Sequence, residues 1–265
     1  MSEPCADVSP PEFLQLAGHP LRWRLLGELA HSDRMVSELT ARVGEPQNLV
    51  SYHLGKLRDG RLVSARRSAA DRRDTYYGLD LPRMGGLLAV TGGALHPGLR
   101  LAPARHEAAP AGRVLFLCTG NSARSPMAAA LTRALSGGAV EAFSAGSNPR
   151  PLHPNALRVL REDHGLDLSD QTPTHLDAFA DAPFDRVISL CDRVREVCPE
   201  RPGPIEPVHW SLANPATGEP DKVTLPLFRQ TAAELVTRIG FLLATLEPAV
   251  AGWNSPPSRP RGDRS

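Results

Sequence analysis

Residues 113–131 read RVLFLCTGNSARSPMAAAL: an apolar run at 114–117 delivers Cys118 to a polar loop, and Ser125-Pro126 opens an Ala-rich helical run. Cys118 and Arg124 are separated by five residues, across the turn from a strand to a helix. Ligands in open α/β sheets gather at the carboxyl ends of strands. The amides of Thr119, Gly120, Asn121, Ser122 and Ala123 can converge there on a tetrahedral oxyanion, and the helix start adds its positive end. The same field favours thiolate over thiol, which makes Cys118 a nucleophile near neutral pH. Arg124 offers a planar fork to two oxyanion oxygens. Ser125 suits the helix N-cap and can turn its hydroxyl toward the thiolate, with Pro126 at the first helical position. Gly120 allows close backbone approach, and Asn121 tolerates the left-handed conformation such a loop needs. The bland alternative is a buried strand-end cysteine beside a surface arginine; a bare Cys-x5-Arg would not exclude it, but the strand, loop and helix around it argue against it.

The elements that would position this loop follow from the pattern downstream. Strands are predicted at 114–117, 139–144, 186–190 and 205–210, and helices at 126–135 and 154–162. A long amphipathic helix at 225–246 carries Phe228, Ala232, Leu235, Ile239, Leu242 and Leu246 on one stripe. Such alternation implies an α/β domain with a parallel sheet covered by helices.

Upstream the pattern is different. Apolar residues recur at helical spacing over 13–30, split into two helices by Gly18-His19-Pro20; a short helix begins at Val36 and is ended by Gly44. The segment QNLVSYHLGKLRD (47–59) then places Val50, Leu54 and Leu57 on one face. Two short helices about a tight turn form a helix-turn-helix, and strand-like stretches at 62–66 and 75–79 add a β-hairpin wing. The alternative is a small helical bundle whose hairpin only contacts a neighbouring domain. Lys56, Arg58, Arg61, Arg66, Arg67, Arg72 and Arg73 favour the winged form, because they crowd one segment into a locally basic face. Gln47, Asn48, Ser51, Tyr52 and His53, together with Lys56, Arg72 and Arg73, are the candidate DNA-contacting residues. For His53 a helix-packing role weighs equally.

The totals bound the rest. At 265 residues the chain accommodates two ordinary domains, and its 30 Lys and Arg against 29 Asp and Glu show no global pull toward nucleic acid or membrane. The expected division is a winged helix-turn-helix α+β domain at 1–95, a Pro/Ala/Gly-rich linker at 96–112, an α/β domain at 113–250 and a disordered tail at 251–265. Residues 81–95 are expected to form a dimerisation helix, weakened by four glycines. No leader and no membrane span are read in the sequence, so a cytoplasmic location is expected. Four cysteines in a chain of this length are too few for a disulfide scaffold. Cys5 is a lone thiol near a Pro-rich terminus, so no metal site and no bound cofactor are expected.

HPLRWRLLGEL, VSEL, QNLVSYHLGKLRDGRLV and the hairpin ending TYYGL resemble the ArsR-type winged-helix repressors over roughly residues 13–95. The resemblance implies a homodimer with residues 47–59 in the major groove of operator DNA. The helix MVSELTARV lacks the cysteines of metal-sensing members, so no thiolate metal sensor is expected in this half.

CTGNSARSP, FSAGS, HPNALRVLREDHGLDLSDQTP, ISLCDRVREVCP and HWSLANP resemble the low-molecular-weight tyrosine phosphatase superfamily, especially its thioredoxin-coupled arsenate reductase branch. Six residues separate Cys191 from Cys198, the spacing of the reductases' shuttle pair. That likeness implies that Cys118 attacks arsenate and that Cys191 attacks the Cys118 sulfur and releases arsenite. Cys198 then draws the disulfide outward for thioredoxin or a low-molecular-weight thiol. Successive thiolate attacks require the polar DRVREV segment between them to be mobile. Two packing cysteines that never couple are the alternative. Relatives carry a general-acid Asp where this chain has Asn214, and an amide cannot donate a proton as a carboxylic acid does. Glu219 or Asp221 could substitute from the same loop. Three functions follow: a DNA-binding regulator fused to an arsenate reductase, a regulator whose second half senses arsenate or phosphate without efficient turnover, and a protein tyrosine phosphatase. The distal thiols favour the first, Asn214 favours the second, and the third is weakest.

Overall fold

The structure is a computed structural model that describes residues 10–99, 111–197 and 207–246. The expected tail, Cys5, Cys198 and most of the expected linker lie outside the described residues.

Four helices open the chain: α1 (Glu12–Ala17), α2 (Pro20–His31), α3 (Val36–Val43) and α4 (Gln47–Asp59). Gly18 and Pro20 divide α1 from α2 as the sequence requires, with His19 capping α2 through Nδ1 to the Leu21 amide. Gly44 ends α3 at φ +67°, the left-handed region where glycine carries no side-chain penalty. Leu25, Leu39, Val50, Leu54 and Leu57 are fully buried among these helices and form the first core. The wing is β2 (Val63–Arg67) and β3 (Thr75–Leu79), antiparallel with Val63 opposite Leu79. A further strand, β1 (Arg34–Met35), pairs with β3 and makes the sheet three-stranded in the order β1-β3-β2. Two residues between helices carry too short a pattern for sequence periodicity to reveal. Helix α5 (Leu81–Leu95) forms despite its glycines.

The second core belongs to a four-stranded parallel sheet of order β5-β4-β6-β7, built from β4 (Gly112–Cys118), β5 (Val140–Gly146), β6 (Arg186–Ser189) and β7 (Val208–His209). Helices α6 (Arg124–Leu135), α7 (Pro154–His164) and α9 (Asp221–Leu243) pack on it. The run Val114–Phe116 is wholly buried, as expected of a central parallel strand with both faces covered. Helix α9 starts four residues before the expected 225 and carries Pro226 in its second turn. Proline removes one amide bond there, and the carbonyl left free belongs to Lys222, an exposed residue that water can satisfy. The segment after Cys191, for which the relay requires mobility, forms helix α8 (Asp192–Val197).

Ser32 and Asp33 join the two halves through backbone and side-chain bonds. The Asp33 amide donates to His209 O at 2.8 Å, the His209 amide donates to Ser32 Oγ at 3.0 Å, and the Ser211 amide donates to Asp33 Oδ2 at 2.8 Å. Arg238 of α9 grips both Asp33 oxygens at 3.0 Å. A Cβ on Gly78 would stand 2.6 Å from Asp33 Oδ1, so the wing strand needs glycine there.

Candidate active site

Cys118 ends β4 and is 2% exposed. The loop carbonyls beyond it are drawn to one side: Thr119 O accepts from the Asn148 amide at 2.8 Å, Gly120 O from Arg150 at 2.9 Å, and Ser122 O from His153 at 2.8 Å. Because a peptide's N–H opposes its C=O, fixing the carbonyls fixes the amides. Those of Gly120, Asn121, Ser122 and Ala123 find no acceptor among the described residues. A row of unsatisfied amides beside a cysteine at a helix start is an anion cradle. Asn121 adopts φ +44°, in the left-handed region anticipated for it. The loop lies directly over Gly146, where a Cβ would meet Thr119 O and Asn121 N at 2.7 Å. Glycine in FSAGS therefore permits the loop to close down.

Ser125 is not the helix cap. Helix α6 begins at Arg124 with Ala123 as N-cap, so Pro126 is the third helical residue, still within the turn whose amides lack partners. The Ser125 hydroxyl is thereby free for Cys118, Oγ to Sγ 3.0 Å. Asn121 Nδ2 donates to Ser125 Oγ at 3.0 Å, while Asn121 Oδ1 accepts the Thr174 amide at 2.8 Å. Asn121 fills one acceptor position of Ser125 Oγ, and the hydroxyl faces two acceptors, Cys118 Sγ at 3.0 Å and Ala145 O at 3.4 Å, of which sulfur is the nearer. Arg124 is 8% exposed, and its Nη1 donates to Leu190 O at 3.1 Å and Leu212 O at 2.9 Å. Nε and Nη2 are the donors left for an oxyanion.

Cys191 is also 2% exposed, and its Sγ lies 3.2 Å from Thr119 Oγ1 of the same loop. The two described cysteines are both free thiols at one end of the sheet. Asn214 is exposed and donates Nδ2 to Ala216 O at 2.8 Å. Asp221 accepts from Asn155 Nδ2 at 3.1 Å, and Glu219 is exposed. Among the described residues no group of three or more His, Cys, Asp and Glu side chains could hold a metal.

One neighbouring cluster has no counterpart in the sequence reading. Asp192, fully buried, accepts from Arg66 Nη2 at 2.9 Å, from Ser211 Oγ at 2.8 Å, from His209 Nε2 at 3.1 Å and from the Ala69 amide at 2.7 Å. Burial opposes its charge, but His209, the Ala69 amide, Ser211 and the Arg66 charge together hold its carboxyl far below the ordinary range. Burial pushes the His209 imidazole down, against the pull of Asp192. A neutral ring donating from Nε2 accepts at Nδ1 from Ser189 Oγ, 2.8 Å away. Arg66, expected on the basic DNA face, is turned instead into the second half of the protein, onto Asp192 and Ser211 O.

On α4 the expected surface residues Gln47, Asn48, Ser51, Tyr52 and Lys56 are exposed, with Lys56 Nζ 5.6 Å from the Tyr52 ring centre. Arg72 and Arg73 are exposed at the wing tip, Arg73 paired to Asp71. His53 corrects the expectation of a DNA contact: it is 5% exposed and packs against His19 with ring centres 4.4 Å apart and the rings tilted by 39°. Its position three residues after Val50 and one before Leu54 puts it on the buried stripe.

Residues 17–64 match a helix-turn-helix domain, and residues 113–251 match the low molecular weight phosphotyrosine protein phosphatase family. The arsenate reductase of Brevibacillus brevis is 38% identical over 126 residues, 48% of this chain and 90% of that protein. The arsenate reductase of Halalkalibacterium halodurans is 36% identical over 127 residues, 48% of this chain and 91% of its own length. Among solved structures, a low molecular weight protein tyrosine phosphatase from T. tengcongensis is 31% identical, with a TM-score of 0.43, over 51% of this chain and 99% of that one. With a thiol, a row of open amides and a buried arginine at the end of a parallel sheet, the chain belongs to the low molecular weight phosphotyrosine protein phosphatase family, carried behind a helix-turn-helix domain.

Proposed function

We propose that the protein is a DNA-binding transcriptional regulator whose second domain reduces arsenate to arsenite with its own thiols. Cys118 is the nucleophile, Arg124 and the amides of residues 119–123 hold the oxyanion, and Ser125 stabilises the thiolate. Cys191 resolves the arsenylated Cys118, and Cys198 passes the disulfide to thioredoxin or a small thiol. The observation that carries this reading is Cys191 Sγ at 3.2 Å from Thr119 Oγ1, a second thiol over the same loop. Phosphate-ester hydrolysis has no use for it, which leaves the phosphatase reading the weakest. The similarity to two proteins named arsenate reductase supports the same reaction.

The exposed residues of α4 and Arg72 at the wing tip supply the surface for operator DNA. Helix α5 supports a homodimer: Val90 and Leu95 are 69% and 75% exposed on an apolar helix. Among the described residues no helix is long and apolar enough to cross a membrane; a cytoplasmic location is part of the proposal.

A second reading is favoured by Asn214, which offers an amide where an acid would serve. In that reading the domain binds arsenate or phosphate and signals without turning over. An arsenate-reduction assay with thioredoxin as reductant separates the two. Turnover that disappears in Cys191→Ser supports the relay. Absence of turnover in the unaltered chain, with arsenate or phosphate still bound, supports the sensor.

A further inference from the structure

Cys191 is one peptide bond from the carboxylate that holds the winged helix in place. Asp192 binds Arg66 of β2 and the Ala69 amide of the wing, so the wing's grip on the catalytic domain runs through the residue next to the resolving thiol. Helix α8 makes a second contact three residues later, where Arg195 pairs with Glu38 of α3. Glu38 also caps α3 by accepting the Met35 amide at 2.7 Å. The oxyanion clamp is tied to the same place. Arg124 Nη1 holds the carbonyls of Leu190 and Leu212, and these residues flank the Cys191-Asp192 pair and Ser211. Ser211 O in turn accepts from Arg66 Nε at 2.8 Å.

We propose that Cys191 passes the redox state of the catalytic domain to the winged helix: a Cys118–Cys191 disulfide withdraws Asp192 from Arg66 and Ala69 and releases the wing. The proposal rests on the arsenate-reductase reading for its natural oxidant. Cys118 thiolate attacks the arsenic of dihydrogen arsenate and forms an As–S bond as one As–OH bond breaks, the departing hydroxide taking a proton from solvent to leave as water. Cys191 thiolate then attacks Cys118 Sγ, the As–S electron pair passes to arsenic, and As(V) leaves as arsenite, As(III). Two thiols are oxidised to one disulfide, and arsenate takes up the two electrons.

The ladder shows what this bond demands of the backbone. Leu117 pairs with Ser189, and the Leu190 amide donates to Leu117 O at 2.7 Å, so Cys191 stands one residue beyond the level of Cys118. Neighbouring strands with a one-residue stagger put their Cα atoms about 6 Å apart but aim the two side chains to opposite faces, and thiols aimed apart are bridged only when the backbone moves. Cys191 Sγ now rests on Thr119, so bond formation draws the Cys191 backbone toward Cys118. Asp192 cannot follow and keep its partners. Four donors fix its carboxylate at 2.7–3.1 Å, and a displacement of roughly 1 Å takes such bonds past their useful length. A carboxylate with partners this fully arranged has two states, docked or released.

The test is amide hydrogen exchange on the full chain carrying Cys5→Ser and Cys198→Ser, which leaves Cys118 and Cys191 as its two thiols. The disulfide is made once with arsenate and once with diamide, and its yield is measured by mass spectrometry on the same samples. Oxidation by either route is expected to speed exchange at Ala69 and through α8 by about tenfold or more, and adding Cys191→Ser abolishes the change. Arg66→Gln is expected to show fast exchange at Ala69 in the reduced protein, with little further change on oxidation. Full disulfide yield with unchanged exchange at Ala69 overturns the proposal, as does an Arg66→Gln wing as protected as the unaltered one. Disulfide formed by diamide but not by arsenate overturns the reductase reading alone, and the diamide sample still decides the coupling.

Discussion

Ser125 Oγ lies 3.0 Å from Cys118 Sγ, nearer than its other acceptor, Ala145 O at 3.4 Å, while Asn121 Nδ2 donates to the same oxygen. A hydrogen bond to an ionised group contributes about 1.5–3 kcal/mol, or roughly ten- to a hundredfold in rate when it acts on the attacking thiolate. Ser125→Ala is therefore expected to lower arsenate turnover at pH 7 by that factor. Asn121→Ala should lower it too, because Ser125 then loses its orientation and the Thr174 amide loses its acceptor. Steady-state rates of both variants, with folding checked by circular dichroism, decide this. An unchanged rate in Ser125→Ala removes the hydroxyl from the mechanism.

Asn214 is exposed and stands in HWSLANP, the segment where the resemblance to the phosphatase superfamily implies a general-acid Asp. Replacing its amide with a carboxyl restores general-acid capacity without changing size. Asn214→Asp is expected to raise hydrolysis of an alkyl phosphate by about 10²-fold or more, the ordinary range for acid catalysis. Arsenate exchanges its oxygens more readily than phosphate, so its reduction should gain less. Equal rates for the two proteins on the alkyl phosphate would sink this account of Asn214.

His209, His53 and His153 are all held below the ordinary histidine value of 6.5, in each case chiefly by burial. The unfolded chain binds these protons more readily, so their neutral forms stabilise the fold fully above pH 6.5, and stability is lost as pH falls below it. Each such histidine contributes at most about 1.4 kcal/mol per pH unit. Asp192 acts lower down: its depressed carboxyl stabilises the fold above the ordinary 3.8 and loses that effect only in stronger acid. Thermal melting is expected to drop between pH 7 and pH 5 and to drop less in His209→Gln, whose amide can still donate to Asp192. A pH dependence identical in both proteins would mean that His209 does not charge in this range.

Much of this arrangement could be read in the residues. The loop after Cys118 declared itself because a strand-ending cysteine, a left-handed Asn121 and Arg124 at a helix start fall within seven positions, and local spacing is what sequence displays. The helix-turn-helix followed from the Val50, Leu54 and Leu57 stripe, and the same arithmetic places His53 on the buried side. The cluster about Asp192 was invisible for the opposite reason. Arg66, Asp192, His209 and Ser211 are brought together by the packing of two domains, and no periodicity links residues 66 and 192. DRVREV reads in the sequence only as a polar segment, because the partners of its charges lie in the other domain, Arg66 for Asp192 and Glu38 for Arg195. Ser125 resembled a cap because serine is favoured at one, while its hydroxyl was already committed to sulfur.

The arginines of the wing differ in what they offer to DNA. Arg72 is exposed at the tip, whereas Arg73 pairs with Asp71 and Arg66 is tied to Asp192 and Ser211. Each phosphate neutralised by a free cation steepens the fall of log affinity with log salt by about one. Lys56→Ala and Arg72→Ala should therefore each reduce that slope by roughly one on a random-sequence duplex, and Arg73→Ala should reduce it less. Arg66→Gln should leave the slope unaltered, because its charge is already balanced inside the protein. Affinity titrations at several salt concentrations give the four slopes directly. A slope that falls as far in Arg66→Gln as in Arg72→Ala would show that Arg66 leaves Asp192 to meet a phosphate when DNA binds. The wing would then be released from the catalytic domain by DNA itself, and the Cys118–Cys191 disulfide and DNA would favour the same released state.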